Sequence, residues 1–199
     1  MPDDRQRSRL SSEERRAQLV ALGVATLVDE PLEGITIDRL ATDAGVSRGL
    51  LFHYFGTKQG LHEAIVRTAR DAMLHATEPR DELEPLARLE DTLRRFVAFV
   101  TEHRGTFHAL VRGASAGDAD VRALIDEARD ENARRVITVF TELGHEDRPL
   151  LRSALRSWVA FVEEMLDEVP TDDDASADAL TALLVRSAVA IVAALGATG

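Results

Sequence analysis

Apolar residues recur at spacings of three and four along almost the whole chain, and no long stretch alternates apolar and polar residues with a period of two. Spacings of three and four place apolar side chains on one face of an α-helix, whereas strict alternation is typical of a half-buried strand. Alanine, leucine, arginine and glutamate are plentiful, while only one tyrosine and one tryptophan are present. The pattern therefore predicts an all-α fold of about nine helices.

Cap and breaker residues delimit four helices in the first part of the chain. Serine and threonine side chains accept hydrogen bonds from the free N–H groups of a first helical turn, whereas proline and glycine end helices. The predicted helices run from Ser11 to Pro31, from Thr36 to Gly45, from Ser47 to Phe55 and from Thr57 to about Thr77. The inward face of the first helix is predicted to carry Leu19, Val20, Val24, Leu27 and Val28.

Four or five further helices are predicted after an acidic, proline-containing connection at residues 78–85. They run from about Leu86 to His103, Phe107 to Val111, Asp118 to Leu143, Pro149 to Val169 and Ala175 to Leu195. The first of these has a heptad-like apolar stripe consisting of Leu86, Leu89, Leu93, Phe96 and Val100.

The last two helices carry the most apolar surface. The penultimate helix has apolar residues at alternating spacings of four and three, namely Leu151, Leu155, Trp158, Val162, Met165 and Val169. The last helix is apolar nearly all round, so it must be buried on several sides. A single chain of this size could bury it alone, but we favour a homodimer in which residues of about 149–169 and 175–195 form a four-helix bundle with a second copy.

Charge alone does not indicate a nucleic-acid partner, because the net charge is −11 and duplex DNA is a polyanion. The charge is unevenly distributed. Residues 1–60 hold 8 arginine and lysine against 9 aspartate and glutamate residues, and the remaining residues hold 16 against 26. A nearly neutral N-terminal unit is therefore followed by a strongly acidic body. Arg5, Arg7 and Arg9 form either a solvated tail or an arm that contacts DNA.

No targeting or membrane segment is expected. Residues 1–9 are polar and charged without a following apolar region, so no secretory signal is predicted. The most apolar stretch, Ser187 to Leu195, is shorter than the roughly 20 residues of a membrane-spanning helix. The absence of cysteine excludes disulfides and Cys-bound zinc. We expect a soluble, cytoplasmic protein that does not bind membranes.

Residues 36–55 are predicted to form two short helices joined by a tight turn. Such a unit needs a small residue where the helices cross, a glycine at the turn and an apolar residue that fills the gap after it; Ala41, Gly45 and Val46 meet these needs. The buried side of the second helix would then pack on the first helix of the chain. Its outward face is predicted to carry Arg48, Gly49, Phe52 and His53.

The outward face has the chemistry expected of a DNA-reading helix. An α-helix fits the major groove, where its N-terminal residues reach base edges. Thr36 and Ser47 place helix N-termini against phosphates. Arg48 can donate to guanine or phosphate, Gly49 allows close approach of the backbone, and Lys58 is placed to meet a phosphate.

The first part of the chain contains a set of residues at fixed spacing, namely Ile35-Thr36-Ile37, Leu40-Ala41, Ala44-Gly45-Val46-Ser47, Gly49, Leu51, Tyr54-Phe55, Lys58 and Leu61. Through this set, residues from about Arg15 to Ile65 resemble the DNA-binding domain of the tetracycline-repressor (TetR) family. It implies a helix-turn-helix DNA-binding domain at residues 1–60 and a helical regulatory and dimerisation domain at residues 61–199. It also implies a homodimer, a double-stranded operator with two-fold symmetry, and a pocket for a small-molecule effector.

Two positions depart from the family pattern. Phe52 stands where the family usually has a tyrosine whose hydroxyl meets DNA, and Gly56 stands where proline is common. The hydroxyl contact cannot form with Phe52, so His53 or Tyr54 would have to replace it. The predicted DNA-binding residues are Thr36, Ser47, Arg48, Gly49, Phe52, His53, Tyr54 and Lys58.

Seven residues of the C-terminal helices are candidates for the effector pocket. Asn132 interrupts an apolar stripe, and a polar group on an inward face needs a partner, which can be protein, water or ligand. A core amide paired within the protein is the favoured interpretation of Asn132, with a ligand contact as the alternative. Helix caps, surface charge or core packing are alternatives for the others. The candidates are His103, Phe107, His108, Arg112, Asn132, Trp158 and Glu163.

No pattern indicates an enzyme or a cofactor. His62-Glu63 is not followed by the second histidine of a zinc-protease motif, and no phosphate-binding glycine loop or nucleophile elbow is present. The sequence therefore predicts a DNA-binding regulator, a repressor released by a small effector. The alternatives are a helical ligand-binding protein or enzyme that does not bind DNA, and a regulator controlled by a protein partner.

Overall fold

The computed structural model describes residues 11–113, 119–171 and 173–196, with the backbone alone at Arg112 and Gly113. Within these ranges the chain forms nine α-helices and one 3-10 turn at Leu32–Gly34, so the prediction of an all-α fold is confirmed. The helices are α1 (Ser12–Thr26), α2 (Ile37–Asp43), α3 (Arg48–Phe55), α4 (Lys58–Ala76), α5 (Pro85–Glu102), α6 (Arg104–Gly113), α7 (Ala119–Glu142), α8 (Pro149–Glu168) and α9 (Asp174–Gly196).

The first four helices begin at the predicted cap residues. The side-chain oxygens of Thr36, Ser47 and Thr57 each accept a hydrogen bond from the backbone N–H three residues further on, at 3.2, 3.2 and 3.0 Å. At α1 the exchange is reciprocal, because the backbone N–H of Ser11 also donates to the Glu14 carboxylate at 2.7 Å. Local hydrogen bonding thus fixes where each of these helices starts.

The predicted end of the first helix and the predicted inward direction of two residues, Val28 and Leu86, were wrong. Helix α1 ends at Thr26, well before Pro31, and the chain turns through residues 27–30. Because the helical path ends there, Val28 does not continue the inward stripe and is 57% exposed. Leu86, in the first turn of α5, is 42% exposed, so the buried stripe of this helix begins at Leu89.

The buried apolar side chains form two clusters. The N-terminal cluster joins α1, α2, α3 and the first half of α4, and it also includes Val121 and Leu124 from the start of α7. The C-terminal cluster contains residues of α5 to α9. Helix α7 contributes buried residues to both clusters, and α4 contacts α1, α5 and α7. These two helices therefore connect the N-terminal unit to the rest of the molecule.

The apolar seam of α8 lies inside the chain's own core. Leu151, Leu155, Trp158 and Val162 are all at most 2% exposed and pack in the C-terminal cluster, so the seam is not the surface left for a second copy. The exposed large apolar side chains of α8 and α9 are different residues, namely Leu150, Phe161, Leu183 and Val189.

Helix α9 agrees within one residue at each end with the helix predicted over about 175–195. By length and composition alone, Asp174–Gly196 could cross a membrane, so the estimate based on residues 187–195 was too short. In the structure α9 contacts α5 and α8, and its residues Leu180, Leu184, Ala188 and Val192 are buried in the C-terminal cluster.

Candidate nucleic-acid interface

Helices α2 and α3 form the predicted helix-turn-helix. Ala41 is buried between them, and Gly45 adopts a φ of 64°, the left-handed conformation that glycine accepts without strain. The N–H of Val46 then donates to the Ala41 carbonyl at 3.0 Å, and the Val46 side chain packs against the N-terminal cluster. The turn is therefore held by the three residues from which it was predicted.

Helix α3 is buried on one side and open on the other. Leu51 and Phe55 are fully or almost fully buried in the N-terminal cluster, which anchors the helix to α2 and α4. Gly49, Phe52 and His53 are exposed, with 40% of the Phe52 surface accessible. The exposed residues coincide with the face predicted to read DNA.

Two cations flank this face. The guanidinium of Arg48 lies 3.1 Å from the Asp38 carboxylate and 5.2 Å from the centre of the Phe52 ring. Lys58, at the start of α4, donates from Nζ to the Glu33 carbonyl oxygen at 2.6 Å. Both side chains remain exposed, so both could reach a phosphate after giving up these surface contacts. Asp38 was not among the predicted residues, because only the crossing of α2 and α3 brings it to Arg48.

The remaining predicted residues divide into caps and surface groups. The hydroxyls of Thr36 and Ser47 are used as caps, leaving the first N–H groups of α2 and α3 without a partner inside the helix. Tyr54 is half-buried, and its hydroxyl lies 3.4 Å from the Ser12 hydroxyl at the start of α1. His53 is exposed, so it rather than Tyr54 lies on the open face beside Phe52.

Family models match both parts of the chain. The model described as tetracyclin repressor-like, C-terminal domain, matches residues 85–191, which is more than half of the chain. The chain belongs to the TetR family. A second model, bacterial regulatory proteins of the tetR family, matches residues 19–65 and so contains α2 and α3.

Individual TetR-family proteins are similar over different lengths. HTH-type transcriptional regulator BetI from Cronobacter sakazakii is 39% identical over 79 residues, and BetI from Paraburkholderia phymatum is 40% identical over 80. These matches cover 38% and 39% of this chain, and the chain spans only 39% and 41% of the length of those relatives.

Solved structures match over nearly the whole chain. A tetR-family regulator from Streptomyces coelicolor has a TM-score of 0.76 and 30% sequence identity, and the match covers 96% of this chain and 85% of the Streptomyces chain. AibR, solved in complex with isovaleryl coenzyme A and operator DNA, has a TM-score of 0.67 at 18% identity, covering 87% of this chain and 97% of its own. The second match shows a shared fold.

The candidate effector residues do not share one pocket in this TetR-family chain. Asn132 and Trp158 line a cavity of about 290 Å³ between α5, α7, α8 and the connection after α4. His103, Phe107 and Glu163 line a smaller cavity of about 170 Å³, which α1, α4, α5, α6 and α7 also border. Below, these are called the larger and the smaller cavity.

His108 is not among the residues that line either cavity. His108 is hydrogen-bonded through Nδ1 to the Asp167 carboxylate at 2.6 Å. Arg112 lies in α6, and its side chain is outside the described residues.

Glu163 is the buried acidic residue that lines the smaller cavity. It is 9% exposed, and its carboxylate accepts a hydrogen bond from Nε of Arg129 at 2.7 Å. Burial raises the pKa of Glu163, and the nearby Arg129 guanidinium only partly opposes this effect. Arg129 was not predicted from the sequence, since nothing in the spacing of α7 indicates that it meets α8.

Proposed function

We propose that this TetR-family protein is a sequence-specific transcriptional regulator, a cytoplasmic repressor that a small-molecule effector releases from its operator. The observation that carries the proposal is the open face of α3. This helix stands on the N-terminal cluster through Leu51 and Phe55 while Gly49, Phe52 and His53 remain exposed. A helix with a free N-terminus and a flanking cation is the form that enters a major groove.

The proposed DNA-binding form is a homodimer joined through α8 and α9. Phe161 and Leu183 are about 40% exposed, and large apolar side chains left in water favour association. Two-fold symmetry would present two copies of α3 to major grooves about 34–36 Å apart or a multiple of that distance. The operator would then be two-fold symmetric.

Regulation is proposed to pass through α4 and α7. We place the division between the DNA-binding and regulatory domains at residues 60 and 61, close to the start of α4. Because α7 has buried residues in both clusters, a shift of α7 around a ligand would also move Val121 and Leu124. The effector must bind the DNA-releasing arrangement more tightly than the DNA-binding one, because coupling requires that difference.

The DNA proposal is tested by fluorescence anisotropy. The full chain is titrated onto a labelled fragment that carries the promoter of its own gene, and onto a shuffled fragment of equal length. Specific, salt-sensitive binding in the nanomolar range is expected. Arg48→Ala and Lys58→Ala should each weaken binding, because each removes a cation beside α3.

Arg94→Ala is the matched control, since Arg94 lies on α5, is 55% exposed and pairs with Glu90 on the surface. It removes the same charge away from α3 and should leave the affinity nearly unchanged. Full retention of binding in both Arg48→Ala and Lys58→Ala would count against the assigned face. Turnover or tight ligand binding without any DNA affinity would instead favour a helical enzyme or ligand-binding protein.

A further inference from the structure

The larger cavity has apolar inner walls. Phe96, Val136, Trp158 and Val162 line it, and all four are at most 7% exposed. The indole N–H of Trp158 already donates to the Ser187 hydroxyl at 2.8 Å, so this side chain needs no hydrogen bond from a bound ligand. A volume of about 290 Å³ is at the lower end of the range of ligand pockets. These walls suit a small apolar molecule.

Two polar side chains on the wall of the larger cavity, Asn132 on α7 and Thr92 on α5, have no side-chain hydrogen bond among the described residues, and the Asn132 amide offers more donor and acceptor sites than a hydroxyl. Asn132 is the only asparagine of the chain and lies on α7, four residues from both Ala128 and Val136 on the inward stripe. It is half-buried and lines the larger cavity. Among the described residues the Asn132 amide has no hydrogen-bond partner, so the favoured prediction of an amide paired within the protein was wrong. Since no fully buried side-chain N or O in this part of the chain lacks a partner, the Asn132 amide is accessible to water or to a ligand. The amide offers donors and an acceptor, so it can pair with a hydroxyl, a carbonyl or another amide.

The cations that line the larger cavity are already neutralised. Arg88 donates to both carboxylate oxygens of Glu142, at 3.2 and 2.7 Å. Arg135 donates to the Glu131 carboxylate at 3.1 Å and to the Thr77 carbonyl oxygen at 3.1 Å. A carboxylate or phosphate on a ligand would have to displace one of these contacts.

The carboxylates that line the cavity give a cation no deep partner either. Glu78 and Asp81 are exposed, so water and salt screen them. The carboxylate of Glu131 is engaged by Arg135 and Arg134. The apolar walls contain no acid, and a charge placed against them without a partner would be strongly disfavoured.

We propose that the larger cavity is the effector site and that its effector is a small uncharged molecule, mainly apolar, with one hydroxyl, carbonyl or amide group that pairs with Asn132. This inference rests on the proposed function for its regulatory meaning. Binding itself is independent of DNA, so the two can be tested separately.

Trp158 provides the readout. It is the only tryptophan of the chain and it lines the larger cavity, so its fluorescence reports an occupant there directly. The full chain is titrated at neutral pH with three probes of equal chain length, namely 1-octanol, octanoate and octylammonium. The fluorescence of Trp158 should change saturably with 1-octanol. Both charged probes should bind at least about tenfold more weakly, because each would lose its hydration without gaining a partner.

Asn132→Leu tests the polar contact. It keeps the size of the side chain and removes the amide, so 1-octanol should bind about three- to tenfold more weakly, the value of one hydrogen bond. Thr141→Val is the matched control, because Thr141 lies on the same helix outside the cavity and donates to the Thr138 carbonyl oxygen. Thermal melts of both variants check that the fold is kept.

Several results would overturn the proposal. The first is a lack of saturable binding of 1-octanol up to its solubility limit. The second is binding of octanoate or octylammonium as tight as that of 1-octanol. The third is equal affinity of the Asn132→Leu and Thr141→Val variants for 1-octanol. Calorimetric binding without a Trp158 response would place the ligand elsewhere and also overturn it. Anisotropy with the promoter fragment is measured in parallel, so a protein that binds DNA normally but fails these tests refutes the cavity assignment alone.

Discussion

Asp38 is the acidic neighbour of Arg48 at the candidate DNA interface. The two side chains are 3.1 Å apart, and both are more than 60% exposed, so the pair contributes little to folding. A carboxylate in this position also faces the region that a phosphate backbone would approach. Asp38 is therefore expected to weaken DNA binding in two ways, by holding Arg48 and by repelling the phosphates.

Asp38→Asn should tighten operator binding about two- to tenfold at low salt, because it frees Arg48 and removes a like charge. Anisotropy titrations at several salt concentrations measure this, and the gain should shrink as salt increases. Asp147→Asn breaks a similar surface pair with Arg152 far along the chain and should change nothing. A gain that persists in the Arg48→Ala background at full size would show that freeing Arg48 is not part of the cause.

The sequence predicted which side chains of α3 are exposed, but not which side chains of other helices contact them. Gly49, Phe52 and His53 follow from helical periodicity once Leu51 and Phe55 are placed inward. Contacts such as Arg48 with Asp38 depend on the angle between two helices, which periodicity within one helix does not contain.

At the scale of elements, the corner between α3 and α4 fixes the position of the reading helix. A Cβ atom added at Gly60, in the first turn of α4, would lie 2.2 Å from the Phe55 carbonyl oxygen. The backbones of the two helices can approach this closely only with glycine there. At Gly49, on the open face of α3, a Cβ atom would meet nothing closer than the Ser47 hydroxyl at 4.0 Å.

Gly60→Ala should therefore lower the free energy of unfolding by about 1–3 kcal/mol, because backbone atoms must move apart. Gly49→Ala should raise it by up to about 1 kcal/mol, since alanine is the better helix former at an open site. Urea unfolding measures both.

Operator affinity is expected to separate the two roles further. Gly49→Ala should weaken binding despite its added stability, because the methyl group keeps the backbone away from the duplex. Unchanged affinity in this variant would contradict the role assigned to Gly49.

The burial of Glu163 on α8 makes the free energy of unfolding depend on the protonation of its carboxyl group. Because burial raises the pKa of Glu163 in the folded protein, the folded state binds this proton more readily than the unfolded state. Ionisation of Glu163 therefore opposes folding. The contribution of this residue to the free energy of unfolding increases as the pH falls from the raised pKa of the folded state towards the ordinary pKa of a glutamate.

Glu163→Gln should remove this dependence. As the pH is lowered through that window, the wild type should become more stable relative to the variant. Urea unfolding at a series of pH values measures the difference between their free energies of unfolding. Taking the difference cancels the acid sensitivity of the other groups. A difference that stayed constant, or shifted towards the variant, would contradict the raised pKa.

The starts of helices were easier to predict than their contacts. Caps such as Ser47 and Thr57 act within three residues, so their effect is visible in the sequence. The candidate effector residues were chosen for chemistry and inward direction, yet Asn132 and Glu163 line different cavities. Which helices enclose a cavity is decided by packing between distant segments, and no local pattern records it.

At the scale of the whole molecule, the net charge is unevenly distributed between the two parts of the chain. The nearly neutral first 60 residues carry the candidate DNA interface, and the acidic remainder carries the larger cavity and the exposed apolar residues of α8 and α9. An acidic body that faces away from the duplex would keep its repulsion of phosphates small. A dimer formed through α8 and α9 would cover apolar surface and leave both copies of α3 open.

Phe161→Glu and Leu183→Glu should each convert the proposed dimer to a monomer, because each places a charge on an apolar interface. Leu143→Glu is the matched control: Leu143 is 43% exposed, close to the 41% of Phe161 and the 39% of Leu183, but it follows the end of α7 outside the proposed interface. Light scattering after size-exclusion chromatography measures the mass of each variant.

Operator binding should fall together with the dimer. A monomer presents one copy of α3 and loses the second half-site, so the monomeric variants should bind a full operator little better than a half-site. The Leu143→Glu variant should keep both the mass and the preference for the full operator. If Phe161→Glu and Leu183→Glu stayed dimeric while Leu143→Glu became monomeric, the interface would lie at the end of α7 rather than on α8 and α9.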